Sequence, residues 1–402
     1  MKKDISLSAI IAGLIAVIIS YAGPLIIVFQ AAKVAHLDNA QLSSWIWAIS
    51  IGAGVTGIVL SIRYRTPVIN AWSTPGAALL VASLAGVSYP EAIGAFLFSA
   101  VLITLLGWSG WFDKIMQHIP KTIAAAMLAG ILFRFGVEVF TSVKQQPALV
   151  INMFLGYLVF KRVTPRYAIP CVLLLGCAFA AATGQIGFDN FHVSLAAPVF
   201  TMPQFSIGAI VSVGIPLCIV TLTGQYVPGI AVLRTAGYQT PANPLVTVTG
   251  LGSILLAPFG SHGLNLAAIT AAICTGRESH EEPSKRYIAG IACGAFYILI
   301  GSFGATLAAL FFALPKELVA TIAGLALFGA IMNGLSTAMT DDKQRESALI
   351  TFLVTASNVT FLGLGAAFWG LVVGVVASFV LSGKLTWKPL EIFRGKTTKL
   401  FS

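Results

Sequence analysis

Val68-Ile69-Asn70-Ala71-Trp72-Ser73-Thr74-Pro75-Gly76-Ala77-Ala78-Leu79-Leu80 changes its conformational preference halfway along. The β-branched start favours an extended chain. Ser73 and Thr74 are hydroxyl N-cap residues, and Pro75 suits a first helical turn, where its missing N–H costs nothing. The stretch predicts a short strand followed by a helix of about ten residues that ends before Gly86. The same grammar returns much later. Pro258-Phe259-Gly260-Ser261-His262-Gly263-Leu264-Asn265 is an irregular polar lead-in to Leu266-Ala267-Ala268-Ile269-Thr270, and that helix stops by Thr275-Gly276.

Both stretches lie in a chain that only a bilayer suits. Of the 402 residues, 57% are hydrophobic and 9% charged. A water-soluble chain of this length needs far more charge to cover its surface. The mean hydropathy of +0.91 agrees. The apolar stretches predict spans near 7–32, 42–62, 68–84, 91–109, 119–137, 148–160 and 167–184. A second series runs near 205–233, 243–257, 260–275, 286–306, 317–333, 346–361 and 364–383, the last two read as a hairpin turning near Gly363 and Gly365. The expected fold is an all-α polytopic membrane protein of fourteen spans, with strand and half-helix breaks in spans three and ten. The first span lacks the cleavage site and polar mature start of a signal peptide.

The charges orient it. With the amino terminus in the cytoplasm, alternate loops place Arg63, Arg65, Lys114, Lys121, Lys161, Arg162, Arg166, Arg234, Arg277, Lys285, Arg286, Lys343 and Arg345 inside. Lys2, Lys3 and the tail residues Lys384, Lys388, Arg394, Lys396 and Lys399 bring the inside count to 20 of 24 basic residues. Lys33, Lys144 and Lys316 fall outside, and Arg134 falls within a span. This is the positive-inside asymmetry, and it puts both termini in the cytoplasm. The net charge of +10 follows from this orientation and from attraction to anionic lipid, so nucleic acid is not an expected partner.

Ile119-Pro120-Lys121 with an Ala-Gly step at 129–130 matches Leu314-Pro315-Lys316 with an Ala-Gly step at 323–324, each opening the fifth span of its half. Tyr21-Ala22-Gly23-Pro24 in span one parallels Tyr226-Val227-Pro228-Gly229 in span eight. Seven spans per half is odd, so residues 201–402 form an inverted copy of residues 1–200. Inverted-topology repeats are the architecture of alternating-access carriers.

Backbone groups freed inside hydrocarbon must be buried in protein or line a cavity. Two half-helices from opposite sides aim both N-termini at one pocket, where partial positive charge and N–H donors favour an anion or a carbonyl. Kinked, merely packed helices are the structural alternative. Ser73, Thr74 and Gly76 with Gly263, Leu264 and Asn265 are the expected donors. Gln225, before the Pro228-Gly229 break, is either a substrate hydrogen-bond donor or a helix–helix tie. His262 is either a neutral core histidine or a proton carrier. Tyr21, Phe29 and Phe259 are the expected aromatic contacts, and Gln30 and Asn333 are expected at span ends. Arg134 and Glu138 stand four apart and can pair on one helix face.

Thirteen of the fourteen acidic residues fall in loops, tails or span edges. A proton-driven drug or sugar carrier usually needs a buried carboxylate. A weak organic acid needs none, because it carries its own proton or binds as an anion to the helix dipoles. The five cysteines lie in apolar spans with no metal spacing, so no metal site, cofactor or disulfide framework is expected. No nucleophile elbow, paired aspartates or histidine pair marks an enzyme. An anion channel is the rival to a carrier.

Ala71-Trp72-Ser73-Thr74-Pro75-Gly76-Ala77-Ala78-Leu79-Leu80, Ala124–Leu132, Pro165-Arg166-Tyr167-Ala168, Leu266–Cys274 and Phe352–Ser357 resemble the benzoate:proton symporter (BenE) family along the whole chain. The resemblance implies proton-coupled uptake of benzoate or a related aromatic acid across a bacterial inner membrane. It also implies kinship in fold with nucleobase/ascorbate transporters and sulfate-type anion exchangers. Those place spans 1–4 and 8–11 in a core domain and spans 5–7 and 12–14 in a gate domain, often at a homodimer interface. Nucleobase carriers look to have acidic residues where this chain has Gln225 and the His262–Asn265 segment, which disfavours uracil-like recognition.

Overall fold

The computed structural model describes residues 4–112, 121–186, 193–277, 279–359, 361–362 and 366–382. Lys2, Lys3, Lys114, the Ile119-Pro120 pair, the turn at Gly363 and Gly365 and the basic tail lie outside these residues. The described chain is mostly helical. α1 (Leu7–Ala22) and α2 (Pro24–Val34) are separated at Gly23, because Pro24 has no N–H to continue the ladder. Then come α3 (Asn39–Tyr64), β1 (Asn70–Trp72), α4 (Thr74–Ser83), α5 (Tyr89–Trp108), α6 (Lys121–Thr141), α7 (Pro147–Val163) and α8 (Ala168–Ala182). The remainder is α9 (Ile207–Arg234), α10 (Ala242–Leu256), β2 (Leu264–Leu266), α11 (Ile269–Thr275), α12 (Tyr287–Gly301), α13 (Gly304–Ala313), α14 (Lys316–Ala338), α15 (Arg345–Ala356) and α16 (Ala366–Ser382).

Among the described residues, seven helical stretches are long and apolar enough to cross a membrane, or eight if the bent pair Pro283–Gly301 and Gly304–Leu310 counts as one. The half-helices α4 and α11 fall below that length, as their broken sequences require. Helix starts follow local chemistry. Asp38 and Gln41 form a reciprocal capping box at α3, and Ser88 with Glu91 does the same at α5.

Packing runs through small residues. A Cβ on Gly54 would lie 2.6 Å from the carbonyl oxygen of Gly294, and one on Gly294 would lie 2.6 Å from that of Gly54. Only glycine lets the α3 and α12 backbones approach this closely. α6 and α14 pack antiparallel: Gly324 meets Phe135 and Val139, whereas Gly334 meets Ala125 and Ala129. The five cysteines form no disulfide. Asn333, expected at a span end, lies inside α14, which runs to Ala338 rather than stopping near residue 333. Arg134 and Glu138 share α6, but no ion pair joins them; Arg134 is exposed.

Candidate functional site

The two broken segments meet. β1 and β2 pair antiparallel, with Asn70 opposite Leu266, Ala71 opposite Asn265 and Trp72 opposite Leu264. The Ala267 N–H donates to the Ile69 carbonyl at 2.9 Å and extends the ladder. Pairing satisfies backbone groups that a broken span would otherwise leave bare in hydrocarbon. From this ladder α4 departs at Thr74, and α11 departs on the other strand at Ile269.

Ser73 is the centre of the arrangement. Its hydroxyl oxygen accepts the Gly76 N–H and the Thr221 hydroxyl, each at 3.0 Å. Its carbonyl accepts the Ala77 N–H at 2.7 Å and faces His262 Nε2 at 3.1 Å. Trp45 Nε1–H donates to His262 Nδ1 at 3.0 Å. An indole nitrogen only donates, so Nδ1 must be the acceptor and the imidazole proton must sit on Nε2, aimed at the Ser73 carbonyl. His262 is 1% exposed and bridges α3 to the N-cap of α4 as a neutral ring.

α9 is tied to both strand breaks. Residues Leu222–Tyr226 form a π-helical turn, an irregularity often found at functional sites. Thr221 on one side of it reaches Ser73, and the Tyr226 hydroxyl on the other donates to the Leu264 carbonyl at 2.9 Å. Between these anchors Gly224 approaches Pro75, where a Cβ would lie 3.1 Å from the proline Cγ. Gln225 is thereby turned toward a cavity.

That cavity has a volume of about 1620 Å³. Thr74 and Pro75 of α4, Ala268 and Thr270 of α11, and Thr223, Gly224 and Gln225 of α9 line its head. Ile19, Ile27, Leu128, Leu132, Leu325 and Leu327 give it apolar walls. Lys121, Lys161, Arg234 and Arg277 also line it, and among the described lining residues there is no Asp or Glu. All four cations belong to the side that the charge asymmetry assigns to the cytoplasm.

Of the residues expected from the sequence, Thr74 and Gln225 line the cavity. Ser73 and Gly76 stand behind Thr74, the Gly76 N–H being taken up by Ser73. His262, Gly263 and Leu264 lie behind the wall, with Leu264 opposite Trp72. Asn265 is fully buried opposite Ala71, which does line the cavity, and neither Asn265 amide atom has a hydrogen-bond partner. The Tyr21 hydroxyl donates to Ser50 at 2.6 Å, and its ring packs edge-on against Trp72 with centroids 5.5 Å apart. Phe259 packs on Trp47 and Phe200, and neither it nor Phe29 reaches the cavity. The aromatic groups there are Trp72, Phe112 and Tyr157. Sequence reasoning missed Ser20, Thr223, Thr270, Asn333 and Thr337. The signal for the last two was there: Asn333 and Thr337 are four apart on the α14 face that carries Gly329 and Ala330.

A family model described as benzoate membrane transport protein (BenE) matches residues 3–380. The chain is 49% identical over 381 residues to the benzoate membrane transport protein of Acinetobacter baylyi (strain ATCC 33305 / BD413 / ADP1), covering 95% of this chain and 97% of that protein. It is 42% identical over 373 residues to inner membrane protein YdcO of Escherichia coli (strain K12), covering 93% and 95%. Among solved structures, the transmembrane domain of the cyanobacterial bicarbonate transporter BicA superposes with a TM-score of 0.57 at 13% identity, over 94% of this chain and 97% of that one. Murine solute carrier 26 family member A9, an anion transporter in the inward-facing state, gives 0.55 at 14% identity over 94% and 68%. At these identities the structural likeness is one of fold.

Proposed function

The chain belongs to the benzoate membrane transport (BenE) family, and we propose that it takes up benzoate or a similar small aromatic carboxylate with a proton, by alternating access. That it is a membrane transporter follows from the family; the substrate, the coupling and the mechanism are the present reading. The observation that carries it is the cavity: the N-terminus of a ten-residue half-helix and a turned-in amide at its head, apolar walls, and four cations at its mouth.

Each part suits an aromatic acid. An anion at a helix N-terminus gains roughly 0.3–1 kcal/mol, up to about 2 when partly buried. A hydrogen bond from Gln225 or the Thr74 hydroxyl to a carboxylate adds about 1.5–3 kcal/mol. The ring then lies against aliphatic walls and the edge of Trp72. In this reading Thr74 and Gln225 touch the substrate. Ser73, Gly76, His262, Gly263 and Leu264 hold the half-helix ends, Tyr21 braces Trp72, and Asn265 backs the cavity head.

An inverted repeat accounts for the packing. α3 packs on α12 and α5 on α10; exchanging the halves of the chain turns one pair into the other. α7 with α8 corresponds likewise to α15 with α16, while β1 with β2 and α6 with α14 each map onto themselves. We read fourteen segments in two inverted halves, residues 1–200 and 201–402, with spans 1–4 and 8–11 as a core moving against spans 5–7 and 12–14. The cavity lies between these groups, with α1, α4, α9 and α11 on one side and α6, α7 and α14 on the other. With both termini in the cytoplasm of a bacterial inner membrane, the cavity opens inward; a homodimer through the gate spans fits the same scheme.

Labelled benzoate uptake into proteoliposomes under an imposed inward pH gradient tests the reading. Accumulation above the leak of protein-free vesicles, abolished by collapsing the gradient, is expected. Accumulation that ignores the gradient rejects proton coupling, and saturation-free flux without concentration indicates an anion channel.

A further inference from the structure

The charge pattern counts Arg286 among the inner cations, but its side chain is 6% exposed, whereas Lys121, Lys161, Arg234 and Arg277 are all exposed. Each of its guanidinium nitrogens donates to a main-chain carbonyl. Nε reaches His280 at 2.7 Å, Nη1 reaches Thr275 at 2.7 Å, and Nη2 reaches Glu281 at 3.2 Å. Burying a cation is costly unless its N–H groups are met, and these three carbonyls meet them.

The carbonyls belong to the inner end of α11 and the loop that follows it. α11 has seven residues, too few for a helix to stand without tertiary support. Its last carbonyls have no partner within the helix. Arg286 takes the one on Thr275, at the helix end where a cation is favoured. The Ser279 hydroxyl is shared between the carbonyls of Cys274 at 2.7 Å and Gly276 at 2.9 Å. Ser8 of α1 donates in turn to the Ser279 carbonyl at 2.9 Å. The opposite end of α11 follows directly from the strand ladder, where the Ala267 N–H meets the Ile69 carbonyl. The half-helix is suspended between two fixed points, the strand pair and the buried guanidinium.

What hangs between them is cavity wall. Ala268, Thr270, Ala272 and Ile273 line the cavity, and Gly276 and Arg277 line it just beyond Thr275. We propose that Arg286 is a positioning residue for transport. Through the carbonyls of Thr275, His280 and Glu281 its planar fork sets where α11 and Arg277 stand in the wall. This deepens the proposed function and rests on the cavity being the substrate's path. The fork matters here as well as the charge. A lysine at this place carries its charge on a single, strongly hydrated nitrogen and cannot serve three carbonyls in a fixed plane.

The test compares the full chain with Arg286→Lys and Arg286→Gln. Benzoate binding is measured by calorimetry at low and high salt, KM and Vmax by proteoliposome uptake, and loop opening by hydrogen exchange across residues 275–281. Both variants should bind benzoate about tenfold more weakly, because a wall no longer preorganised must be ordered on binding. KM should rise while Vmax stays within about twofold of the parent. The deficit should persist near 1 M salt, where charges are screened beyond about 3 Å, and exchange across 275–281 should be faster.

An Arg286→Lys variant with parental affinity, beside an Arg286→Gln variant whose deficit vanishes in salt, would make Arg286 a cation acting through space and overturn the inference. So would variants that lose thermal stability but keep the parental KM. Should neither variant fold, Ser279→Ala loosens the same helix end, and an unchanged KM there also overturns it. A parent that neither binds nor takes up benzoate removes the aromatic-acid reading. Hydrogen exchange needs no ligand and still decides the other question: parental exchange in the variants shows that Arg286 does not hold this end.

Discussion

The imidazole of His262 donates its Nε2–H to the carbonyl of Ser73 across 3.1 Å, joining the lead-in of one half-helix to the cap of the other. Trp45 fixes the ring from the far side at 3.0 Å. Replacing His262 with Ala leaves the buried Trp45 N–H unpartnered, a loss of about 1–3 kcal/mol. The thermal midpoint of the detergent-purified protein should fall, and the apparent affinity for benzoate should weaken as Ser73 loses its brace. The pH profile of the remaining uptake should keep its midpoint. A midpoint displaced in the variant would make His262 a proton carrier after all.

Gln225 is turned to the cavity by a π-helical turn anchored at Thr221 and Tyr226. Gln225→Ala removes one donor to a charged acceptor, worth about 1.5–3 kcal/mol, or roughly ten- to a hundredfold in apparent affinity. Gln225→Glu keeps the size and adds a like charge, so uptake at neutral pH should be lower than with Ala and should recover on acidification. Equal uptake by the two variants would remove Gln225 from the substrate's contacts.

The first strand-then-helix break was legible because Ser73, Thr74 and Pro75 carry local conformational rules that tertiary structure had no reason to override; at the second, Leu266, read as helix, lies in β2 and α11 begins only at Ile269. Their antiparallel pairing was not read from the sequence, which asked only that the freed backbone groups be buried in protein or line a cavity. The π turn was not legible either: the polar run Thr223-Gly224-Gln225 marks a site within an apolar helix, but nothing in it specifies the wider turn. The cavity wall was hidden for a related reason: Ala124, Ala125, Ala268 and Gly329 carry no chemistry and matter by being small. Asn333 was misplaced because the apolar run fades before α14 does, its last turns facing the cavity.

Gly324 sits where α14 crosses α6, and a Cβ there would lie 2.3 Å from the Phe135 carbonyl oxygen. Backbone cannot yield cheaply, so Gly324→Ala should cost about 1–3 kcal/mol despite the better helix propensity of alanine. Gly329 lies on the same helix with nothing within 4 Å of its would-be Cβ. Gly329→Ala should leave stability unchanged or raise it by about 0.5–1 kcal/mol. Thermal unfolding of the pair in one detergent separates close approach from helix propensity.

Lys121, Lys161, Arg234 and Arg277 line the cavity with exposed side chains, so salt should screen their pull on an anion. Neutralising Lys161, Arg234 and Arg277 together to Gln should weaken benzoate binding several-fold at low ionic strength. The difference from the parent should shrink toward nothing near 1 M salt, where the screening length is about 3 Å. Titration calorimetry over a salt series reads this directly. A deficit that persists in high salt would mean that one of these side chains contacts the bound acid.

Asn265 has its whole amide buried without a hydrogen-bond partner, opposite Ala71 at the cavity head. A group so placed weakens the fold, by about 1–3 kcal/mol for an unsatisfied polar site. Asn265→Val adds only about one methyl of bulk and removes that penalty, so the variant should unfold at a higher temperature. If the amide serves the substrate, or a water that accompanies it, the same change should cut benzoate uptake about tenfold or more. Gain in stability with loss of transport is the pattern of a strained functional residue. Gain in stability with full transport would instead make Asn265 a packing fault with no part in binding.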